Sequence, residues 1–256
     1  QMCIRDRGEE TLNFLSRDNQ RINQWRFYAG QEHTLGKDWG LNYGVAYTTA
    51  LDNSYQMYYD PETEAPLPDN NMKSRRREQT VNFYAGLSKS FGEKLSADVS
   101  LAAEQYHTDM WNEWSLYPVA NLTYLPAPGH ILQFSLSSDK EYPEYWSMQN
   151  STSYMGAYSE IQGNPFLKPA TNYETTLSYI LKGKYVLSAY YSRTKNKEMQ
   201  TLYQSPERLV EIYKCFNFDF SEQAGLVMVV PFKVKKWLDS RVTAIGFRYR
   251  QKAVSY

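Results

Sequence analysis

Long apolar runs are missing from this chain of 256 residues. The longest run, residues 225–232, has the length of a strand, whereas a membrane-spanning helix needs about 18 apolar residues. A helical membrane protein is therefore excluded. Because only helices and closed barrels satisfy every backbone hydrogen bond in lipid, any membrane-embedded form of this chain must be a β-barrel.

Net charge and cysteine are also scarce. The chain has 28 Lys and Arg and 28 Asp and Glu, a balance that argues against a nucleic-acid-binding surface. Cys3 and Cys215 form neither a disulfide framework nor a metal-binding motif. One local basic run, interpreted as a solvated loop end beside a strand, comprises Lys73, Arg75, Arg76 and Arg77.

Motifs of catalysis and metal binding are missing as well. The isolated His33, His107 and His130 lack the spacing of metal ligands. The sequence has no nucleophile motif, no Gly-rich phosphate loop and no Cys/His cluster. It therefore predicts that the protein is not an enzyme and carries no cofactor.

Aromatic residues, in contrast, are abundant. They make up 16% of the chain, with 23 tyrosines, although the mean hydropathy is −0.65. A soluble domain of this polarity rarely has so many rings. A lipid-facing barrel combines both properties, because its lumen and loops are polar while its outer band is flanked by aromatic residues.

A strict alternation identifies the strands. Trp39, Leu41, Tyr43, Val45 and Tyr47 are bulky and apolar, and the residues between them are small or polar. This period of two is typical of a strand with one apolar and one polar face. It recurs in successive hairpins and predicts roughly eleven strands, most of them long enough for the about 9–11 residues that cross a bilayer at a tilt.

Short turns and long polar segments alternate between these strands. Short turns are predicted at residues 36–38, 91–94, 126–129, 182–184 and 231–236. Long loops are predicted at residues 52–79 and 139–170, with a shorter loop around 107–111. Outer-membrane barrels have this arrangement, with short periplasmic turns and long external loops.

Some strands are less clearly marked by the pattern. The first is predicted at residues 20–33, and weaker ones near 199–203 and 209–216. The last strand, 237–250, has an ambiguous outward parity. Pro118 lacks a donor for the strand ladder, so we expect a bulge or broken pairing there.

Aromatic residues next to the short turns complete the prediction of fold. They would form an interfacial girdle comprising Trp39, Phe91, Tyr124, Tyr185, Phe232 and Trp237. The alternative is a soluble β-sandwich with aromatic residues in its core, which does not explain the alternation of loop lengths. The sequence predicts an all-β fold, an antiparallel transmembrane β-barrel that is incomplete, about half of a large barrel.

One segment resembles a known family. The sequence SEIQGNPFLKP at residues 159–169, followed by Asn172, Tyr173 and Glu174, is similar to the loop-to-strand junction of TonB-dependent outer-membrane receptors of Bacteroidota, in their outer membrane β-barrel family. Residues 142–146 resemble the start of the same loop, and residues 230–234 with 236–238 resemble a periplasmic turn of that family.

The resemblance implies a barrel of about 22 strands with a plug domain in its lumen. Residues 1–8 are expected to be a non-native leader, because they resemble translated adapter sequence and lack the pattern of a signal peptide. Residues 9–256 are then a partial barrel domain that ends within a strand, without the plug, the TonB-box segment and the closing strands.

The junction itself is predicted to be a rigid corner. Gly163 is expected to adopt a conformation that other residues cannot, and Pro165 fixes its own φ and disfavours helix at Asn164. The corner would deliver the chain into a strand that begins near Asn172. We interpret it as a brace of the loop rather than as a ligand contact.

Side chains in the loops and the lumen are the candidates for function. A set of aromatic residues could stack against a sugar, peptide or siderophore, or pack loop on loop: Trp111, Trp114, Tyr142, Tyr145, Trp146, Tyr154 and Tyr158. Inward-facing Asp98, Glu104 and Glu174 share a face with Arg26 and would pair with basic groups of a plug or set selectivity.

The function implied by the resemblance is TonB-energised uptake of a bulky nutrient (glycan, peptide, siderophore or similar) across the outer membrane. The alternatives are a passive porin-like channel, an outer-membrane adhesin, or a soluble carbohydrate-binding β protein. The expected partners are outer-membrane lipid, the protein's own plug domain, the TonB complex through that plug, and a possible surface lipoprotein, but no nucleic acid.

Overall fold

A computed structural model describes residues 2–6, 9–156, 158–235 and 238–253, with side chains from residue 13 onward except at 68–70. Thirteen strands are formed by these residues: β1 (Met2–Asp6), β2 (Glu9–Leu35), β3 (Trp39–Tyr59), β4 (Pro66–Phe91), β5 (Leu95–Thr108), β6 (Asn112–Tyr124), β7 (His130–Glu141), β8 (Thr152–Gly156), β9 (Ser159–Gln162), β10 (Ala170–Leu181), β11 (Tyr185–Gln204), β12 (Glu211–Val234) and β13 (Leu238–Lys252).

One sheet contains these strands, and most of its pairs are antiparallel hairpins. Strands β1 to β7 are neighbours in chain order, and β10 to β13 continue the sheet from β7. The β8–β9 hairpin lies in the connection between β7 and β10, and β9 pairs in parallel with the start of β12. The sheet is open. The predicted all-β, antiparallel, incomplete barrel is thereby confirmed.

A single turn of 3₁₀ helix, Tyr145–Met148, also lies between β7 and β10. Within the residues that the structure describes, no helix is long and apolar enough to cross a membrane.

The strand registers align the apolar residues on one face. Val45 lies opposite Phe83, and Leu41 opposite Leu87, which in turn lies opposite Val99. These side chains are exposed in the protein alone, by 50% at Phe83, 48% at Leu87 and 51% at Val99. An ordered apolar face that no protein group covers is the face that contacts lipid in a barrel.

The height of this face matches a bilayer. On β3 this face extends from Trp39, next to a short turn, to Thr49, which lies opposite the exposed Trp25 of β2. At about 3.3 Å per residue and a tilt of about 40°, this stretch spans about 25 Å along the membrane normal, which is the height of the apolar band of outer-membrane barrels. We call the residues of this height the apolar band.

The predicted girdle lies at the lower edge of the band, beside the short turns. Five of its six members are outward-facing at or near strand ends: Trp39, Phe91, Tyr124, Tyr185 and Phe232. The ammonium of Lys89 lies 4.3 Å from the centre of the Trp39 ring and 4.8 Å from that of Phe91. Trp237 lies outside the described residues.

Four of the predicted short turns are confirmed, at residues 36–38, 91–94, 126–129 and 182–184. Gly92, Gly129 and Gly183 have positive φ there. The fifth turn is shorter than predicted, because β12 continues through Pro231 to Val234. The pairing of β12 with β11 ends at Val186–Val229. Pro231 therefore pairs with β13 alone, and the N–H donor that proline lacks is not needed for a bond to β11.

The predicted long loop at residues 52–79 was wrong. Strands β3 and β4 continue through most of it, with Asp52 opposite Arg76 and Ser54 opposite Ser74, and only residues 60–65 connect them. These strands project beyond the apolar band, where neither face needs to be apolar. Both faces are therefore polar, and the alternation that identifies a strand in lipid is lost.

Other predicted strand boundaries also differ from those in the structure. The first strand is longer than predicted, and the weak signals near 199–203 and 209–216 belong to the long strands β11 and β12. His107 lies in β5, which leaves residues 109–111 as the turn. The predicted loop at 139–170 contains the end of β7, the 3₁₀ turn and the β8–β9 hairpin.

The basic run was also misplaced, since it lies in β4 rather than at a loop end. Alternate residues point to opposite faces, so Arg76 faces inward while Lys73, Arg75 and Arg77 face outward.

Pro118 interrupts pairing as predicted. The ladder between β6 and β7 ends at Ala120, although β6 stays paired with β5 on its other side. The carbonyl of Pro118 instead accepts a hydrogen bond from the Ser138 hydroxyl at 2.7 Å.

The parity of the last strand is now defined. Val242 and Ala244 lie opposite the outward Val230 and Met228, so Ile245, Phe247 and Tyr249 face inward.

Candidate functional site

The connection between β7 and β10, residues 142–169, folds back over the inward face of the sheet. We call it the crossing loop. Its β8 strand is fixed to β3, because the Tyr58 hydroxyl donates to the Thr152 carbonyl at 2.5 Å and the Gln56 side-chain amide donates to the Ser153 hydroxyl at 3.1 Å. Tyr154 packs against Phe14 of β2, with ring centroids 5.3 Å apart.

The other side of the crossing loop is fixed to β12. Strand β9 pairs in parallel with residues 211–214. The Asn164 side chain donates to the Cys215 carbonyl at 2.9 Å, and the Asn217 side chain accepts from the Lys168 amide at 2.7 Å. The fully buried Glu160 carboxylate pairs with Arg208 at 2.9 Å.

These two attachments require that the sheet curves. Six strands of the sheet lie between β3 and β12 in the order of pairing. One loop can contact both only if the sheet bends towards itself, so that the loop spans its concave side. The face that the loop contacts is the inward face, opposite to the apolar band.

The corner at Gly163 is confirmed, but the reason given for glycine was wrong. Its φ is not among the positive values, which in the described glycines occur at Gly92, Gly129 and Gly183. Glycine is needed instead because a Cβ at this position would lie 1.7 Å from the carbonyl oxygen of Gln149. The buried Asn164 then caps the corner, accepting from the amide of Phe166 at 3.1 Å.

Two glutamates of the inward face hold the beginning of the crossing loop. Glu78 of β4 accepts hydrogen bonds from the Tyr145 hydroxyl at 3.0 Å, the Tyr106 hydroxyl at 2.9 Å and the Arg76 guanidinium at 2.9 Å. The negative charge of Glu78 is therefore balanced by Arg76 and stabilised by hydrogen bonds from two tyrosine hydroxyls. Arg76, which faces inward by its position in β4, thereby has its charge paired.

Glu104 of β5 is the second anchor. Its Oε1 accepts from the Tyr142 hydroxyl at 2.5 Å and lies 3.4 Å from the Lys140 ammonium. The predicted common face of Glu104, Asp98, Glu174 and Arg26 is confirmed by the strand registers. The ionic partner of Glu104 is Lys140.

Burial and the adjacent carboxylates raise the pKa of both loop phenols. Desolvation is the larger cause at Tyr142, followed by its hydrogen bond to Glu104, and at Tyr145 desolvation is followed by the charge of Glu78. Part of the Tyr142 ring is exposed, but its hydroxyl is the donor to Glu104. Both hydroxyls therefore stay protonated at neutral pH and remain hydrogen-bond donors.

The seven aromatic candidates fall into separate groups. Tyr142, Tyr145 and Tyr154 are bound to the sheet as described. The Trp111 ring stacks under the Lys168 ammonium, 4.3 Å from its centre. Trp146 and Tyr158 keep open surfaces, with 49% and 47% exposed.

Trp114 requires a correction, because it is not in a loop. It lies in β6 and shares the outward face with Leu116 and Leu122, and it is 58% exposed. The strand begins earlier than predicted, so this ring is placed at the upper edge of the apolar band, away from the other six.

A polar cavity of about 360 Å³ lies under the crossing loop. Its walls are formed by strands β2 to β5 and by the loop, and include Arg26, Glu78, Glu104, Tyr106, Tyr142 and Tyr145. Sequence reasoning missed Glu78 and Tyr106. Continuing the period of two through the polar residues 72–78 would have placed Arg76 and Glu78 on one face.

The ionisable groups of the described residues do not form a metal centre. No group of three or more His, Cys, Asp or Glu among them is placed to hold an ion. His130 contacts Tyr179 instead, with 2.6 Å between its Nδ1 and the hydroxyl.

The sheet is open and curved. Its outer face is apolar over the thickness of a bilayer, its inner face is polar, and one loop folds inward. These features define the wall of an outer-membrane β-barrel. The chain belongs to the outer membrane protein beta-barrel family, whose model matches residues 4–256. The protein is accordingly located in the outer membrane.

Solved structures share this fold at low sequence identity. A copper transporter, OprC, is 12% identical with a TM-score of 0.61, and the match covers 96% of this chain and 41% of that one. The siderophore receptor PirA from Pseudomonas aeruginosa is 10% identical with a TM-score of 0.56, covering 91% and 51%. The ferric enterobactin receptor PfeA of the same species, in complex with enterobactin, is 17% identical with a TM-score of 0.57, covering 89% and 36%.

The chain thus spans about half or less of the length of these structures. No curated protein matches it. The predicted resemblance to outer-membrane receptors is confirmed at the level of family and fold, and the Bacteroidota origin stays a prediction.

Proposed function

We propose that this chain is part of the wall of a TonB-dependent receptor that imports a bulky nutrient, and that it is not an enzyme. One observation carries the proposal: the crossing loop is fixed over the inward face by contacts to β2, β3, β4, β5 and β12. A passive channel needs an open lumen, whereas a receptor needs an ordered surface across its mouth. The copper, siderophore and enterobactin proteins with this fold are transporters or receptors by name.

The crossing loop would lie on the external side. It belongs to the end of the sheet opposite the short turns, and in outer-membrane barrels the short turns are periplasmic. A substrate arriving from outside would meet the loop before the lumen.

Trp146 and Tyr158 are the proposed substrate contacts. Their rings keep open surface, while the loop backbone that carries them is fixed at both sides. Rigid aromatic rings bind sugars, peptides or siderophores at little cost in conformational entropy. Tyr142, Tyr145, Tyr154 and Trp111 would then support the loop, and Trp114 would contact lipid.

The cavity beneath the loop is the proposed start of the path inward. Arg26 and Asp98 of the inward face would meet a plug domain in the lumen. TonB would act on that plug, and a surface lipoprotein could cover the mouth.

Conductance of the protein expressed from its intact reading frame tests the transport mechanism without knowledge of the ligand. In a planar lipid bilayer we expect no steady open channel, and we expect copurification with the periplasmic domain of TonB. A stable ohmic conductance would instead identify a porin. A protein that neither conducts ions nor binds TonB would favour an adhesin.

Titration with maltoheptaose, a tripeptide and ferric enterobactin tests the contacts. With Trp146→Ala and Tyr158→Ala combined, we expect the affinity for whichever probe binds to fall at least about fivefold, since each ring contributes about 0.5–1.5 kcal/mol. Trp114→Ala is the matched control, because it removes an equally exposed ring from the outward face. Equal losses in both variants would refute the assignment.

A further inference from the structure

Four cations that form no ion pair with any described residue lie on the outward face above the apolar band. Lys73, Arg75 and Arg77 follow each other at every second position of β4, and Arg21 of β2 lies in the row of Arg75, with Asn53 of β3 between them. All four side chains are exposed. We call them the basic patch.

The strand positions around the basic patch carry no counter-charge. One carboxylate, Asp109 in the turn after β5, lines a common cavity with Lys73 and Arg75 but forms no ion pair with either among the described residues. The outward positions around the patch hold Asn, Gln, Leu and Tyr, at Asn19, Asn23, Leu51, Asn53, Tyr55 and Gln79. In the part of the chain that the structure describes, none of the four cations forms an ion pair, whereas the neighbouring Arg17 lies 3.6 Å from Glu64. The strand carboxylates at this height, Asp18, Asp52 and Glu78, point inward.

Two outward arginines on the other side of the sheet share one carboxylate. Arg193 of β11 and Arg250 of β13 both contact the carboxylate of Glu222, at 3.8 and 2.9 Å, and both lie over the ring of Phe220. Arg248 of β13 also faces outward without an ion pair among the described residues, but it is a single cation, whereas the patch groups four.

The height of the patch corresponds to lipid headgroups. Thr49 marks the upper edge of the apolar band, and Arg77 lies opposite Leu51, two residues further along. With the rise and tilt used above, the Arg77 backbone lies about 5 Å beyond the band, those of Arg21 and Arg75 about 10 Å, and that of Lys73 about 15 Å, so Lys73 is the outermost of the four. Headgroup layers are about 5–8 Å thick, and long cationic side chains reach into them.

We propose that Arg21, Lys73, Arg75 and Arg77 bind the phosphate groups of an anionic lipid in the outer leaflet. The patch is continuous with the lipid-contacting face, so lipid is already its neighbour. Residues two apart on β4 place their side chains about 7 Å apart, so that neighbouring phosphates, or several oxygens of one, can be contacted together. Binding here is independent of transport and of the proposed ligand.

Lipid copurification tests this site. The protein from its intact reading frame is extracted in neutral detergent and incubated with a diphosphorylated glycolipid, and bound lipid is measured by native mass spectrometry. The variant combines Lys73→Gln, Arg75→Gln and Arg77→Gln. The control combines Lys94→Gln, Lys184→Gln and Lys233→Gln, which removes the same charge from three separate places near the short turns.

The expected result is a loss of at least tenfold in lipid affinity for the patch variant and little change for the control. Each cation near an anionic surface strengthens binding about fivefold, so three would give about 100-fold at low salt. The dephosphorylated glycolipid should bind both variants equally. Heat-dependent mobility on gels verifies that each variant is a folded barrel.

Three outcomes would overturn the proposal. Unchanged binding in the folded patch variant would show that the cations are only solvated. An equal loss in the control would show a general charge effect. Displacement of the glycolipid by inorganic phosphate alone would show a site for free phosphate instead of a lipid.

Discussion

At the scale of single residues, hydrogen bonds from tyrosine hydroxyls to carboxylates hold the crossing loop. Tyr142 donates to Glu104 and Tyr145 donates to Glu78, and the raised pKa of each phenol keeps it a donor. Hydrogen bonds to charged groups contribute about 1.5–3 kcal/mol when buried, and less where water can replace them.

Replacing both tyrosines by phenylalanine should therefore loosen the loop without unfolding the barrel. We expect amide exchange at residues 145–164 to accelerate at least about tenfold, which corresponds to about 1.4 kcal/mol of local opening. Tyr28→Phe is the matched control, because that inward tyrosine is 84% exposed. If exchange is unchanged in the double variant, the carboxylates are not the anchors.

Gly163 provides a test of close packing at one position. A methyl group there would lie 1.7 Å from the Gln149 carbonyl oxygen, so the backbone of the loop must shift. At Gly156, in the same loop, an added methyl group would have no neighbour within 4 Å, and its φ is not positive. Limited proteolysis should cut the loop of Gly163→Ala several times faster than that of Gly156→Ala. Equal rates would contradict the geometry of the corner.

At the scale of elements, the sequence predicts strands where the two faces meet different surroundings. Val45 and Phe83 face lipid while Ala46 and Asn82 face water, and both segments were predicted correctly. Above the band both faces are polar, so the extension that pairs Asp52 with Arg76 could not be recognised by alternation. The contacts of Glu78 and Glu104 were not predictable either, because the loop that supplies Tyr142 and Tyr145 returns from distant sequence.

Whether a strand residue faces lipid or water also determines how much an introduced charge lowers the stability of the barrel. Leu87→Arg places a cation on the lipid face, opposite Leu41 and Val99 and about 5 Å above the lower edge of the band, and should cost about 1–2 kcal/mol, between the about 2–4 kcal/mol of the midplane and the about 0–1 kcal/mol of the interface. Ser88→Arg, one position on, points inward beside Asp98 and should cost little. Denaturant titration of the folded protein in lipid vesicles measures both. Similar costs for the two variants would reverse the outward assignment.

At the scale of the whole molecule, the crossing loop connects parts of the wall that are remote along the sheet. β8 contacts β3, and β9 pairs with β12, so the loop connects the two sides of the curved sheet at the end opposite the short turns. No local pattern encodes this arrangement, since the partners lie about a hundred residues apart at Gln56 and Ser153. Only the polar corner at residues 163–165 indicated that the loop was ordered.

A cysteine pair can test that connection in the membrane. The side chains of Gln56 and Ser153 are joined by a hydrogen bond of 3.1 Å through the end of the glutamine, so Gln56→Cys with Ser153→Cys should be crosslinked in intact cells by a short bifunctional thiol reagent that replaces the length of that side chain. Ser88→Cys with Ser153→Cys should not, because Ser88 lies near the short-turn end of β4. Efficient crosslinking of the control pair, or none of the first, would mean that the loop does not span the mouth, and the receptor proposal would lose the observation that carries it.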